Sequence, residues 1–460
     1  MRNMNAVTPR SRRHMALCLI AAASAAAFLL GPGAIATAQT KAQAKPKAKT
    51  KAKKAGPSAA TIAANAKARE EANNAVAEWL ASPPIIENPA ALIPFLEQLY
   101  RLEHGGPGLV RILHYGDSHT AADEWTGTIR SLLQTKFGDG GAGFSHAGRP
   151  WNSYRRLDVR SFGSPRWYSD GLLGREGDGL YGISGVSITT SLPGQTAGLK
   201  ADCESAELLY LKQPRGGPVD LYDNGVFVER IPTEGETGAG YYKLPMAPGA
   251  HYFEVRTVER APVRLYGWAT ENNRGVTYET LGINGAMATI MEKWDAALQA
   301  EHIAHRNPAL IVLAYGTNES ASRDWNQPQG TQEFAAIIKR LRAAAPSAAI
   351  LVIGPPDRYY MVRGVWTVHP KIDGIAAAQR DAAKAAGVAF WDIRERMGGS
   401  GAMREWVRAG LAQGDYIHFT APGYRLLGAA MYKELLEQYR TFIKVREEPP
   451  KPLNTLGESK

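Results

Sequence analysis

Short apolar runs recur along the chain and restrict its fold more than any other feature: LVRILHY (109–115), ALIVLAY (309–315), AAILVIG (348–354) and VAFWDI (388–393). A strand with one face in water alternates polar and apolar residues, so a continuous apolar run implies cover on both faces, as in a parallel sheet. Helical patterns separate the runs at 123–136, 331–344 and 371–386. A last amphipathic helix from about 423 places Leu426, Leu427, Met431, Leu435 and Leu436 on its buried face. The alternation predicts an α/β fold, a three-layer α/β/α sandwich around a parallel sheet.

Residues 150–275 break that rhythm. AELLYLKQ, VDLYDNGVFVERI, HYFEVRTVE and VRLYGWATE are short, alternating and rich in β-formers. Asn224-Gly225 between two such runs is a hairpin signal, because both residues tolerate positive φ. The segment reads as an all-β sandwich inserted into the α/β domain, which resumes at GVTYETLGINGA. Its aromatics (Trp167, Tyr168, Tyr181, Tyr241, Tyr242, Trp268) either stack on sugars or, for most of them, fill the sandwich core. Upstream, Asn88 is a candidate N-cap with Pro89 at the first helical position. Leu92, Phe95, Leu96 and Leu99 follow on one helix face.

The formal charge of +10 suggests nucleic acid until its distribution is read. Residues 1–38 hold four basic residues and no acids, and residues 39–57 hold seven lysines and no acids. Removing these eleven leaves 43 basic residues against 44 acidic ones, so the folded part is near neutral and no nucleic-acid partner is expected. The arginine-bearing start, the apolar stretch MALCLIAAASAAAFLL and Ala36-Thr37-Ala38 fit a secretory signal with its cleavage site. An uncleaved anchor is the alternative. KAQAKPKAKTKAKKAGPSAA reads as a solvated linker, or else as an electrostatic attachment to an anionic envelope surface. Cys203 remains without a disulfide partner once Cys18 leaves with the signal, which suits the bacterial periplasm or secretion. The expected organisation is therefore signal 1–38, linker 39–58, helical segment 59–104, α/β domain 105–149 and 276–445, β insertion 150–275, and tail 446–460.

The first apolar run ends in HYGDSHTAAD (114–123). Ser118 would stand at the carboxyl end of a parallel strand, where open α/β sheets bind ligands. It is either a nucleophile or a helix cap, and Thr120 or Asp123 could take the capping role instead. A nucleophilic serine needs a base, usually a histidine oriented by a carboxylate. Of ten histidines, His418 lies in the polar loop GDYIHFTAPGY with Asp415 three residues before it, close enough to reach its Nδ1. His302 and His305 read as surface residues and His114 as a packed one. Acyl transfer also needs oxyanion donors. Asn318 in YGTNES could offer its side-chain amide and Gly285 in GINGA its backbone N–H, although Gly and Asn also favour ordinary turns after strands. GDGGAG makes Gly138, Gly140 and Gly143 a literal G-x-G-x-x-G. It follows a helix rather than a strand, so it reads as a flexible rim of the active site and not as a dinucleotide fingerprint.

In the order YGDSHT, INGA, YGTNE and DYIH, these pieces resemble the blocks of the SGNH hydrolases, also called the GDSL esterase/lipase superfamily. The resemblance covers about 105–150 and 275–440. It implies Ser118 as nucleophile and oxyanion donor, Gly285 and Asn318 as the remaining oxyanion donors, and Asp415 with His418 as the rest of a triad. No metal or cofactor is implied. Block one reads GDSH rather than GDSL, block three ends in Glu319 rather than Asp, and the usual Asn of block two has no clear counterpart. The interruption by a β domain is similar to that of peptidoglycan O-acetylesterases, which implies an acylated glycan as substrate. Transfer of the acyl group to another sugar, or a non-catalytic glycan-binding scaffold, are the alternatives.

Overall fold

The computed structural model describes residues 58–175 and 177–448. The expected signal segment, nearly all of the Lys-rich linker and most of the expected tail lie outside them. No helix of the described residues is long and apolar enough to cross a membrane.

Five parallel strands form the central sheet in the spatial order Arg274–Gly282, Gly108–Gly116, Leu310–Ala314, Ala349–Ile353, Ala389–Trp391. In chain order this is 2-1-3-4-5, so the direction of winding reverses between the first and third strands. Alternate side chains of the runs enter two apolar clusters on opposite faces. Val110, Ile112, Leu310, Val312 and Leu351 pack with Trp125, Ile129 and Leu133 of the helix Glu124–Phe137 and with Leu427, Met431 and Leu435 of the last helix, Ala421–Glu447. Leu113, Tyr115, Ile311, Leu313, Ile350 and Val352 pack on the other face with Ile303, Phe334, Ile337 and Leu341. Leu426, expected on the buried face of the last helix, is 40% exposed, because the 3.6-residue period turns it away while Leu427 takes the core position.

Both sheet edges are covered by irregular chain, which removes a template for unwanted pairing. Glu87 exchanges two backbone hydrogen bonds with Phe390 on one edge, at 2.8 and 3.1 Å. On the other, Gly138 O accepts from Val276 N at 2.9 Å and Gly140 N donates to Val276 O at 3.1 Å. This places GDGGAG beside the start of the Arg274–Gly282 strand, at the amino end of the sheet and away from Ser118. The expectation of an active-site rim is therefore wrong: the helix Glu124–Phe137 carries the chain back down the sheet before the glycines begin. They serve close approach, since a Cβ at Gly140 would lie 2.7 Å from the Val276 carbonyl carbon. Asn88 also differs from expectation. It adopts φ 50° and makes no side-chain cap, and a 3-10 turn, Pro89–Leu92, precedes the α-helix Ile93–Glu103.

Antiparallel pairing begins at Gly143–His146, which pairs with Val263–Glu271, and continues until the parallel strand starts at Arg274. Two antiparallel sheets of the insertion share one apolar cluster that includes Leu199, Leu208, Leu221, Phe253, Val255, Leu265 and Trp268. Asn224 and Gly225 take φ 51° and 80° in the hairpin turn. Tyr181, Ile183, Leu209 and Tyr266 instead join the cluster beneath the parallel sheet, so the insertion is packed onto the α/β domain. His302 belongs to this contact. It is fully buried, with Nδ1 3.1 Å from Tyr241 Oη, which corrects its reading as a surface residue. His305 stacks on the same tyrosine and contacts Glu207.

A buried ionic cluster reinforces the junction. Asp123 is fully buried at φ 55° and accepts from Arg130 Nη1 and Nη2, Thr126 Oγ1, Thr280 Oγ1 and the Leu157 N–H. Burial alone would raise its carboxyl, but the charges of Arg130 and Arg156 outweigh it and hold the group far below the usual carboxylate range. Asp123→Ala would leave two guanidinium groups buried with a missing partner, so the expected loss is about 3–5 kcal/mol of unfolding free energy in urea titrations. A loss under about 1 kcal/mol would show that the cluster does not secure the junction. The contribution of Asp123 is present above the ordinary carboxylate pKa and is lost as pH falls toward the depressed folded value.

Candidate active site

Three neighbouring strands end level with one another. Gly116 is in register with Gly282 on one side and with Ala314 on the other. Ser118 lies two residues beyond its strand, Gly285 three and Asn318 four, so backbone register alone gathers them over the carboxyl end of the sheet. Ser118 opens a one-turn helix, Ser118–Ala121, that lies across the strand ends. Its closeness explains two glycines. A Cβ at Gly116 would sit 2.1 Å from Thr120 Oγ1 and 2.7 Å from Ala314 O, and one at Gly282 would sit 2.2 Å from Ala121 N. Asp117 caps the turn, its Oδ1 accepting from His119 N at 2.9 Å, while Thr120 Oγ1 has no partner among the described residues and Asp123 makes no cap bond to its helix. The capping role thus falls to Asp117 rather than to Thr120 or Asp123, and the half-buried Ser118 hydroxyl is left free of it.

Asp415 and His418 come from the loop between the helices Met403–Arg408 and Ala421–Glu447. Gln413 N donates to His418 O at 2.8 Å and Thr420 N to Leu411 O at 2.9 Å, which closes the loop, with Tyr416 at φ 57°. Asp415 Oδ1 accepts from the N–H groups of Ile417 and His418, both at 3.0 Å, and Oδ2 lies 2.7 Å from His418 Nδ1. His418 Nε2 lies 3.0 Å from Ser118 Oγ. Burial would raise the Asp415 carboxyl, but the hydrogen bonds from the His418 ring and from the two backbone N–H groups hold it below the usual range. An ionised Asp415 accepts from Nδ1–H, and that tautomer turns the Nε2 lone pair toward the serine hydroxyl.

Gly285 adopts φ 77°, a left-handed conformation suited to glycine. Among the described residues the N–H groups of Ser118 and Gly285 have no acceptor. Asn318 Nδ2 donates to Ala286 O at 2.9 Å, which ties the Gly285 loop to the Leu310–Ala314 strand, and makes a long contact of 3.5 Å to Asp117 Oδ2. Chemically the arrangement offers a hydroxyl, a base in line with it, and N–H donors beside it.

Further residues surround this line. His119 is buried, with Nδ1 2.9 Å from Tyr424 Oη and its ring 5.3 Å from that of His418. Arg358 Nη1 donates to Thr317 O and Ser320 Oγ, both at 2.8 Å. Glu319 Oε1 accepts from Ala288 N at 2.8 Å, and burial pushes its carboxyl up to about 7. Of these, His119 and Glu319 stand in the sequence only as departures from the usual blocks, and Arg358 carries no signal. Among the described residues no group of three or more His, Cys, Asp or Glu side chains is placed to hold a metal ion.

Burial pushes Asp117 up to about 6, against the hydrogen bond from His119 N–H. A carboxyl raised on folding stabilises the protein below its unfolded pKa, and that stabilisation is lost as pH rises through the folded value. Asp117 is therefore expected to remove roughly 3 kcal/mol between pH 4 and 7. Asp117→Asn keeps an oxygen for His119 N–H and should flatten that part of the slope. Glu319 adds a slope of the same sign to both proteins. Urea titrations across this range compare them, and equal slopes would refute the assignment.

Residues 239–426 match the GDSL-like Lipase/Acylhydrolase family. The match includes Gly285, Asn318, Asp415 and His418, while Ser118 lies upstream across the insertion. A solved peptidoglycan O-acetylesterase is 28% identical, covers 76% of this chain and 96% of its own, and superposes with a TM-score of 0.65. A family two carbohydrate esterase from Clostridium thermocellum is 12% identical over 60% of this chain and 98% of its own, with a TM-score of 0.28. A GDSL-like lipase from Bacteroides thetaiotaomicron is 18% identical over 34% and 74%, with a TM-score of 0.27. No curated protein matches the chain. By the family match over residues 239–426 and by its superposition on the peptidoglycan O-acetylesterase, the chain is similar to the GDSL-like lipase/acylhydrolases, or SGNH hydrolases, and is a carboxylic ester hydrolase.

Proposed function

We propose that the protein is an exported O-acetylesterase that removes acetyl groups from an envelope polysaccharide through an acyl-enzyme, with Ser118, Asp415 and His418 as its triad. The architecture in this reading is an α/β/α hydrolase interrupted by a β-sandwich. The observation that carries the proposal is the unbroken line Ser118 Oγ to His418 Nε2 at 3.0 Å and His418 Nδ1 to Asp415 Oδ2 at 2.7 Å. The peptidoglycan O-acetylesterase that covers three quarters of the chain supports an acetylated glycan as the substrate class.

Ser118 Oγ attacks the ester carbonyl as His418 Nε2 takes its proton, and Asp415 stabilises the imidazolium that forms. The negative charge on the carbonyl oxygen is met by the N–H groups of Ser118 and Gly285 and the amide of Asn318. His418 returns the proton to the departing sugar oxygen, which leaves as an alcohol. Water, deprotonated by the same ring, then cleaves the acetyl-serine and releases acetate.

Acetate release from O-acetylated glycan, measured beside p-nitrophenyl acetate turnover, tests the reading. Ser118→Ala is expected to lower kcat by roughly 10⁴-fold or more, and Asp415→Asn by a comparable factor through loss of the tautomer. Asn318→Ala should cost about 10²–10³-fold. Full activity in Ser118→Ala would end the proposal, and acetyl transfer to an added acceptor glycan in preference to acetate release would reassign it as a transferase.

A further inference from the structure

The insertion carries a cleft that the chemistry above does not use. It encloses about 700 Å³ and is lined by Arg149, Trp151, Asn152, Trp167, Leu173 and Arg175 among others. Among the described residues its charged lining consists of two arginines and no carboxylate. Neither arginine forms an ion pair with a described residue: Arg149 Nη2 donates only to the Asn152 carbonyl, at 2.9 Å. That contrasts with the arginines at the junction, where Arg111, Arg130, Arg156 and Arg306 are all paired. Two guanidinium groups lining one cleft, with no ion-pair partner among the described residues, suit an anion, and their planar forks suit a carboxylate.

The two indoles are fixed in place. Trp167 Nε1 donates to Thr196 O at 2.9 Å, and Trp151 packs edge-on against Tyr154 and His146. Both are half-buried, so each keeps part of its ring open. Half-open, anchored indoles offer apolar faces to the C–H faces of sugar rings at little entropic cost. The cleft also adjoins the catalytic loops. Leu173, which lines it, packs so closely over Gly285 that a Cβ there would lie 2.8 Å from Leu173 Cδ1. A polymer lying in the cleft therefore passes the Gly285 loop beside Ser118.

We infer that this cleft is a subsite for a carboxylate-bearing saccharide of the substrate, with the rings on Trp151 and Trp167 and the carboxylate on Arg149 and Arg175. The inference rests on the glycan esterase reading and deepens it. In a peptidoglycan glycan strand the matching group is the lactyl carboxylate of an N-acetylmuramic acid freed of its stem peptide, which the neighbouring N-acetylglucosamine lacks.

The full chain carrying Ser118→Ala, titrated calorimetrically with the disaccharide N-acetylglucosaminyl-N-acetylmuramic acid, tests binding without turnover. N,N′-diacetylchitobiose and the muramyl carboxamide supply the same rings without the charge. The acid is expected to bind at least 10-fold tighter than either, and more weakly as salt rises. Arg149→Gln and Arg175→Gln, both at exposed positions, should erase that preference. Trp167→Phe should weaken binding of all three sugars. In the otherwise unaltered enzyme Arg175→Gln should raise KM for acetylated glycan strands freed of stem peptides about 10-fold and leave p-nitrophenyl acetate turnover unchanged. Equal affinity for acid and neutral disaccharides, or a preference that survives both arginine substitutions, would overturn the subsite. Those results would leave the esterase reading intact, whereas retained turnover in Ser118→Ala would remove that reading and leave the binding result standing.

Discussion

Everything at the candidate active site depends on the close contact between a single helical turn and the backbone ends of three strands. The turn Ser118–Ala121 lies on Gly116, Gly282 and Ala314 at distances that leave no space for a Cβ at either glycine. Side chains cannot set that spacing. It comes from the hydrogen-bond register of the parallel sheet, which makes the three strands end in one row. Once the turn is seated, the serine hydroxyl lies 3.0 Å from His418 Nε2 and its N–H has no acceptor among the described residues. A methyl group at residue 116 or 282 would lift the turn and misplace both at once.

The insertion enters between the serine and the rest of the site, so its attachment determines whether the two halves of the hydrolase stay in register. That attachment is both apolar and ionic. Tyr181, Leu209 and Tyr266 fill the cluster under the parallel sheet. Asp123, five residues after Ser118, takes hydrogen bonds from Arg130 on its own helix, from Thr280 on the adjacent strand and from Leu157 of the inserted segment. Arg306 joins Glu279 of the parallel strand to Glu271 of the insertion, and Arg111 holds the same Glu271. Each ion in these clusters is costly to bury and is repaid only in one geometry, which makes the junction specific rather than merely adhesive.

Much of this was legible in the sequence because the signals are local. Apolar runs marked four of the five parallel strands, and the Asn224-Gly225 turn marked a hairpin. Asp415 and His418 are three residues apart, so their pairing needs only one loop. What escaped depends on contacts far apart in sequence. His302 looks polar and exposed until Tyr241 and Tyr266, more than thirty residues earlier, cover it. The glycines of GDGGAG looked like a rim because their position relative to the sheet depends on the direction of the preceding helix. Arg358 gave no signal, since its partners Thr317 and Ser320 lie some forty residues earlier on another loop. Leu426 differs for a smaller reason: at roughly 100° per residue it turns away from the core position that Leu427 takes.

In the proposed reading the same dependence lets substrate choice reside in the insertion while chemistry resides in the sheet. The strand ends fix an acyl-transfer geometry that is indifferent to what lies beyond the ester. Selectivity then requires a surface held rigidly at a fixed distance from Ser118. A flexibly tethered domain would supply affinity without position. Here the cleft wall at Leu173 touches the Gly285 loop directly, and the strands behind it are continuous with the core beneath the sheet. In the proposed reading a saccharide bound there would lose its freedom in the frame of the serine, so its binding energy would lower the barrier to attack rather than only retain the substrate.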